Sequence, residues 1–188
     1  TGVGAIFQYS RSSEKIATVN QRYSIATKVK KAHIASGPDD FRQYFMPLAG
    51  DTMQGSGSYV LGEMSLSFRP VPADSLFVTF VKSASSWQES QATDYAGNIS
   101  YRFKMQDTLI TLNPYFMIPH SDGMRYQKLD VIVGIPVKTE VEIDDNLRWH
   151  SNYSDFIDNA RDGGTLIMTS SGLKLKNPLV AASSGLTG

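Results

Sequence analysis

The chain has 188 residues, with 18 Lys plus Arg balanced by 18 Asp plus Glu, and no cysteine. Zero net charge removes the basic excess that a phosphate-tracking surface normally shows, so no nucleic-acid partner is expected. The lack of cysteine excludes disulfides, thiolate zinc sites, iron–sulfur clusters and cysteine nucleophiles. Charged residues make up only 19%, below the roughly 25% of an ordinary soluble domain. Ser, Thr, Gly, Asn and Gln fill the difference, as on the wet faces of antiparallel sheets.

No window approaches the roughly 18 consecutive apolar residues of a membrane-spanning helix. The longest apolar stretch, Val131 to Val137, is interrupted by Gly134 and Pro136 and reads as a strand. Residue 1 is threonine and no signal-peptide pattern follows it, so the chain is expected to be a fragment or processed form, its membrane segment lying upstream.

In chain order, residues 1 to 60 carry few local signals beyond an alternating segment, Tyr23 to Val29, and a linker-like Gly55-Ser56-Gly57-Ser58. Met64, Leu66 and Phe68 then alternate with Ser65, Ser67 and Arg69, the period of a strand with one dry face. Pro70 and Pro72 should end it. Leu76 to Val81 reads as a strand buried on both faces. Ser86-Trp87-Gln88-Glu89 fits a capping box that opens one short helix over about residues 86–96, with Gly97 as its stop. Trp87, Gln91 and Tyr95 would share a face, and Ala92 and Ala96 would allow close approach to a sheet.

Strand signals follow at Ile99 to Lys104 (Ile99, Tyr101 and Phe103 inward), Thr108 to Leu112, Lys128 to Ile135, Val137 to Ile143, Thr165 to Thr169 and Gly172 to Leu175. Val137, Thr139, Val141 and Ile143 should face one way, and Lys138, Glu140 and Glu142 the other. Such short strands suit a sandwich, barrel or solenoid, although no fixed repeat period is visible. Residues 1–176 are expected to form a single β-rich domain and 177–188 a weakly ordered tail.

Candidate chemistry is sparse. Glu140, Glu142 and Asp144 would stand about 7 Å apart on one strand face, close enough to share a hard cation. With Asp145 they read more simply as a solvated face neutralised by Lys138 and Arg148. A hydrolase built on Glu140 and Glu142 is the outlying alternative. Asp155, Asp158 and Asp162-Gly163 lack the ligand spacing of a calcium loop. His33, His120 and His150 are too far apart in sequence to form a helical metal pair. Gly55, Gly57 and Gly62 match no phosphate loop, and no nucleophile elbow occurs. No catalytic residue, cofactor or metal is assigned. Tyr115 and Trp149 are candidates for an interaction surface, because exposed aromatics can build a glycan or protein platform.

The order of segments resembles a known family. Ser75 to Ser83, the helical Trp87 to Gly97 and Ile99-Ser100-Tyr101-Arg102-Phe103 look like the C-terminal region of bacterial membrane proteins that carry a phage-shock-protein-C (PspC) domain. So do Leu109 to Pro119, Leu129 to Pro136 followed by Val141-Glu142-Ile143-Asp144, and the closing Asp162-Gly163 and Met168 to Leu173. The likeness covers roughly residues 60 to 176 and brings no catalytic motif. It implies an all-β toast-rack module, similar to adhesin-like folds in which short strands stack into a solenoid-like body; a β-sandwich is the alternative. It also implies a non-enzymatic role in envelope-stress sensing or signalling. The module would be tethered to the membrane, with the periplasmic or extracytoplasmic face favoured over the cytoplasmic. Partners would be envelope proteins or a second copy of the chain. A surface adhesin or glycan-binding module is the alternative function.

Overall fold

Alternation of apolar and polar residues becomes alternation of buried and solvated faces in the computed structural model, which describes residues 15–37, 45–47, 53–55, 59–72, 74–148, 150 and 165–176. The expected tail, 177–188, lies outside these residues, as do Trp149, Asp155, Asp158, Asp162 and Gly163.

Four strands build the first sheet: β1 (Lys15–Thr27), β6 (Ser65–Val71), β7 (Ser75–Ser86) and β11 (Lys128–Pro136), in the order β1-β7-β11-β6. The β1/β7 and β7/β11 pairs are antiparallel, and β11/β6 is parallel. The alternation at Met64, Leu66 and Phe68 points all three into the core. Pro70 does not end β6. It pairs with Ile135, and an outer strand accommodates it because only one edge of the backbone needs hydrogen bonds. Nor is β7 dry on both sides: Leu76, Val78 and Phe80 are buried, while Phe77, Thr79 and Val81 on the opposite face are half-buried.

The second sheet has six strands, in the order β14-β13-β12-β2-β9-β8. They are β2 (Lys31–Ser36), β8 (Phe103–Gln106), β9 (Leu109–Leu112), β12 (Glu140–Ile143), β13 (Leu166–Thr169) and β14 (Gly172–Leu175). Its centre is parallel, β2 lying between β12 and β9, and antiparallel hairpins flank it. The N-terminal third thus supplies a central strand. The third sheet, order β10-β5-β4-β3, joins β3 (Phe45–Pro47), β4 (Met53–Gly55), β5 (Tyr59–Glu63) and β10 (Tyr115–Pro119).

Buried side chains from all three sheets form one hydrophobic cluster. An aromatic knot ties the first two sheets together, with the Phe80 ring 4.5 Å from Phe103 and 5.3 Å from Tyr101. The chain is therefore mostly β, in several mixed sheets. This strand order does not by itself establish a solenoid-like stack.

Helix α1 (Glu89–Gly97) starts later than the capping-box pattern predicts. Strand β7 runs on through Ser86, so the Ser86 hydroxyl donates to Gln91 Oε1 at 3.0 Å instead of covering a helical amide. Ala92 and Ala96 are fully buried and let the helix lie close to its sheet, whereas Trp87 is 71% exposed and shares no packed face with Tyr95. Gly97 is the last helical residue, and Asn98 closes the helix in right-handed geometry, its amide reaching Asp94 O. Its side chain donates to the buried Asp122, which lies in a 3-10 turn over His120–Asp122. A second short helix, α2, spans Asp145–Arg148.

Val137 also departs from expectation. The Val137–Lys138 step is a turn, with Lys138 at φ 74°, so β12 begins only at Glu140 and Val137 is exposed. Thr139, Val141 and Ile143 do face inward.

Candidate functional site

The acidic row lies on the solvated face of β12 and is matched by its parallel neighbour. β2 alternates Lys31 and His33 outward with Ala32 and Ile34 inward, and its register sets Lys31 against Glu140 and His33 against Glu142. The contacts run diagonally. Lys31 Nζ meets Glu142 Oε1 at 2.7 Å, His33 Nε2 meets Asp144 Oδ1 at 3.0 Å, and Glu140 pairs with Lys176 just past β14. Asp144 Oδ2 also accepts the Ser36 amide at 2.9 Å. Among the described residues the charge partners of the row are thus Lys31 and Lys176 and not Lys138, while His33 hydrogen-bonds Asp144; the expected Arg148 side chain is outside the described ones.

These side chains remain a third to a half exposed, where solvent screening keeps each ion pair weak. Hydrogen bonding to Lys176, with that lysine's charge, holds the Glu140 carboxyl below the usual carboxylate range. The bond to Glu142 and its charge raise Lys31. A carboxylate paired this way is a poor proton donor and already has its cation. Among the described residues, no cluster of three or more His, Asp or Glu could hold a metal ion.

The other candidates are dispersed. Tyr115 is half-buried on β10, its ring edge-on to His150 at 6.0 Å. His120 is exposed in the 3-10 turn, and His33 hydrogen-bonds Asp144 on the second sheet. Gly62 belongs to β5 and not to a linker; a Cβ there would strike the Phe116 ring. Gly55 lies in β4, and Gly57 is outside the described residues.

Two features escaped the sequence reading. Lys82 lies on the inward face of β7, 9% exposed, with no hydrogen-bond or ion-pair partner among the described residues, and burial lowers its pKa. An inward-facing position in the alternation of β7 was its only sequence signal. The second is a gathering of exposed apolar side chains at one end of the first sheet: Ile16, Trp87, Met124 and Tyr126 are each more than 70% exposed. They lie in segments distant along the chain, and no local pattern links them.

The edges of the first sheet bear on binding. β1 is 13 residues long and, among the described residues, pairs on one side only, with β7. Such an edge can accept a further strand through its main-chain groups. No helix among the described residues is long and apolar enough to cross a membrane. The family described as "ToastRack found in some PspC" matches residues 54–181. No curated protein and no solved structure matches the chain.

Proposed function

The chain belongs to the toast-rack family found in some PspC proteins, and on that premise we propose that it is a non-enzymatic module of a membrane-anchored envelope protein. Its role is to take part in envelope-stress sensing or signalling through protein contacts, on the extracytoplasmic side. The observation that carries this reading, beyond the family, is the long strand β1, outermost in its sheet among the described residues, whose second edge would offer a row of backbone donors and acceptors to a partner strand. The acidic row supports binding over catalysis, since Glu140 and Glu142, the pair a hydrolase would use, are each engaged by a lysine. The toast-rack body, with its strands stacked in solenoid fashion, is the scaffold that presents this edge.

Lysine on an edge strand obstructs further pairing. Thr18→Lys with Asn20→Lys, placed in the full-length protein, should therefore abolish stress-reporter induction and cross-linking to envelope partners while leaving the protein at its normal level. If the reporter responds normally both to this variant and to deletion of residues 15–176, the reading fails.

A further inference from the structure

We propose that the end of the first sheet carrying Ile16, Trp87, Met124 and Tyr126 is a docking surface for an anionic phospholipid bilayer. The proposal stands on this surface alone and not on the signalling role or the tether.

Four large apolar side chains gather there, Ile16 at 73%, Trp87 at 71%, Met124 at 74% and Tyr126 at 75% exposure. Register places them together. Ile16 pairs with Ser85 across β1 and β7, Trp87 follows the last residue of β7, and the Arg125 carbonyl, between Met124 and Tyr126, accepts the Ser85 amide at 2.8 Å. Ile16 and Tyr126 flank a shallow groove with Ser83, Ser85 and Lys128.

The loop holding Met124 and Tyr126 is braced. Gln127 Oε1 accepts the Arg125 amide at 2.6 Å and Gln127 Nε2 donates to Gly123 O at 2.9 Å. Tyr126 adopts φ 51°, a left-handed conformation that costs an L-residue about 1 kcal/mol or more. A hydrogen-bonded loop with a left-handed residue therefore holds these two apolar side chains out in water.

Charge selects the occupant. Lys15, Arg125 and Lys128 are exposed at this end, against the exposed Glu89 at the start of α1, the half-buried Asp130 further along β11 and the buried Asp122, which accepts from Asn98. In a chain that is neutral overall, the exposed charge of this end is therefore basic. Projecting Trp and Tyr rings with an apolar body and a polar tip, ringed by Lys and Arg, match the interfacial layer of a bilayer, where rings sit at headgroup depth and cations meet phosphate.

The test uses the whole chain and vesicles of phosphatidylcholine, with or without phosphatidylglycerol. Trp87 and Trp149 are the two tryptophans, so Trp149→Phe makes Trp87 the reporter, and cosedimentation of the unaltered chain reads binding independently of that substitution. The expected result is a blue shift and cosedimentation with anionic vesicles that weaken as salt rises. Trp87→Ser with Tyr126→Ser should reduce partitioning about tenfold or more, and Arg125→Glu with Lys128→Glu should remove the preference for anionic lipid. Absence of cosedimentation with anionic vesicles overturns the proposal. So does undiminished binding by the Trp87/Tyr126 variant, or a dimer that this variant dissolves in a protein that does not bind vesicles.

Discussion

The ring of Phe116 fills the space in which Gly62, its antiparallel partner across β10 and β5, would carry a side chain. Phe77 and Gly134 repeat the relationship across β7 and β11. In both pairs the glycine is required by close approach, not by an unusual backbone angle. The two differ in what the ring can do. Phe116 is 2% exposed and packed in the core, whereas Phe77 lies half-buried on the outer face beneath the Arg22 guanidinium. Gly62→Ala should therefore destabilise by about 2–3 kcal/mol, at the upper end of the overpacking range, and Gly134→Ala by about 1 kcal/mol because Phe77 can swing outward. Chemical denaturation of the two variants checks the order; equal losses would contradict it.

The seat of α1 rests on Ala92 and Ala96, both without exposed surface. Ala96→Leu adds volume where the helix meets β7 and β1, and should lower stability by about 1–3 kcal/mol. Leucine at an exposed helical site such as Thr93 meets no such crowding, so Thr93→Leu is the control for placing leucine in this helix. A thermal midpoint for Ala96→Leu equal to that of the control would show that the helix does not pack closely.

Acid should weaken the row on β12. Glu140 has a lowered pKa in the folded protein because Lys176 hydrogen-bonds and attracts it. Its contribution is therefore complete above the ordinary carboxylate range and is lost as pH falls through that range and below it. Lys31, raised by Glu142, acts in the opposite window: its contribution is present at neutral pH and lost as pH rises beyond the ordinary lysine value of 10.5. Comparing melting temperature against pH for the parent and Glu140→Gln should show a gap at neutral pH that closes on acidification. A gap independent of pH would assign it to something other than this ion pair.

Tyr101 stands inside the aromatic knot and donates its hydroxyl to Asn113 O at 2.8 Å. Burial raises its pKa well above the ordinary tyrosine value, against a smaller opposing effect of that hydrogen bond. In alkaline titration followed by phenolate absorbance, Tyr101 should ionise only well above the ordinary tyrosine value or on unfolding. The corresponding stability is complete below the ordinary tyrosine range and lost as pH rises through the folded value. Tyr101→Phe should cost about 1–2 kcal/mol at neutral pH and remove the delayed fraction of the absorbance change.

Local alternation was a dependable guide wherever a strand had one wet face. Met64, Leu66 and Phe68, and likewise Thr139, Val141 and Ile143, face as their spacing predicts. It failed where the backbone turned. Val137 continues the alternation in sequence, but the left-handed Lys138 breaks the strand before it can count. The helix start moved for a similar reason: five residues of β7 beyond Val81, Lys82 to Ser86, pair with β1, and the capping serine is consumed by the sheet. The N-terminal third carried little signal because β2 has its partners in β9 and β12, 70 to 110 residues away in sequence. At the acidic row, the carboxylates were evident from spacing but their cations were not. Tyr115 was visible as a candidate; its position edge-on to His150 was not.

By itself, then, the sequence determined a β-rich chain without thiol chemistry, the buried face of several strands, the presence of one helix and the family resemblance. These follow from side-chain type and from a two-residue period, both of which are local. Tertiary structure alone decided that Lys31 and His33 answer Glu142 and Asp144, that β2 is central, and that the segments carrying Ile16, Trp87, Met124 and Tyr126 come to one end of a sheet. Each depends on the register between strands far apart in the chain, and register is set by burying all the apolar faces at once.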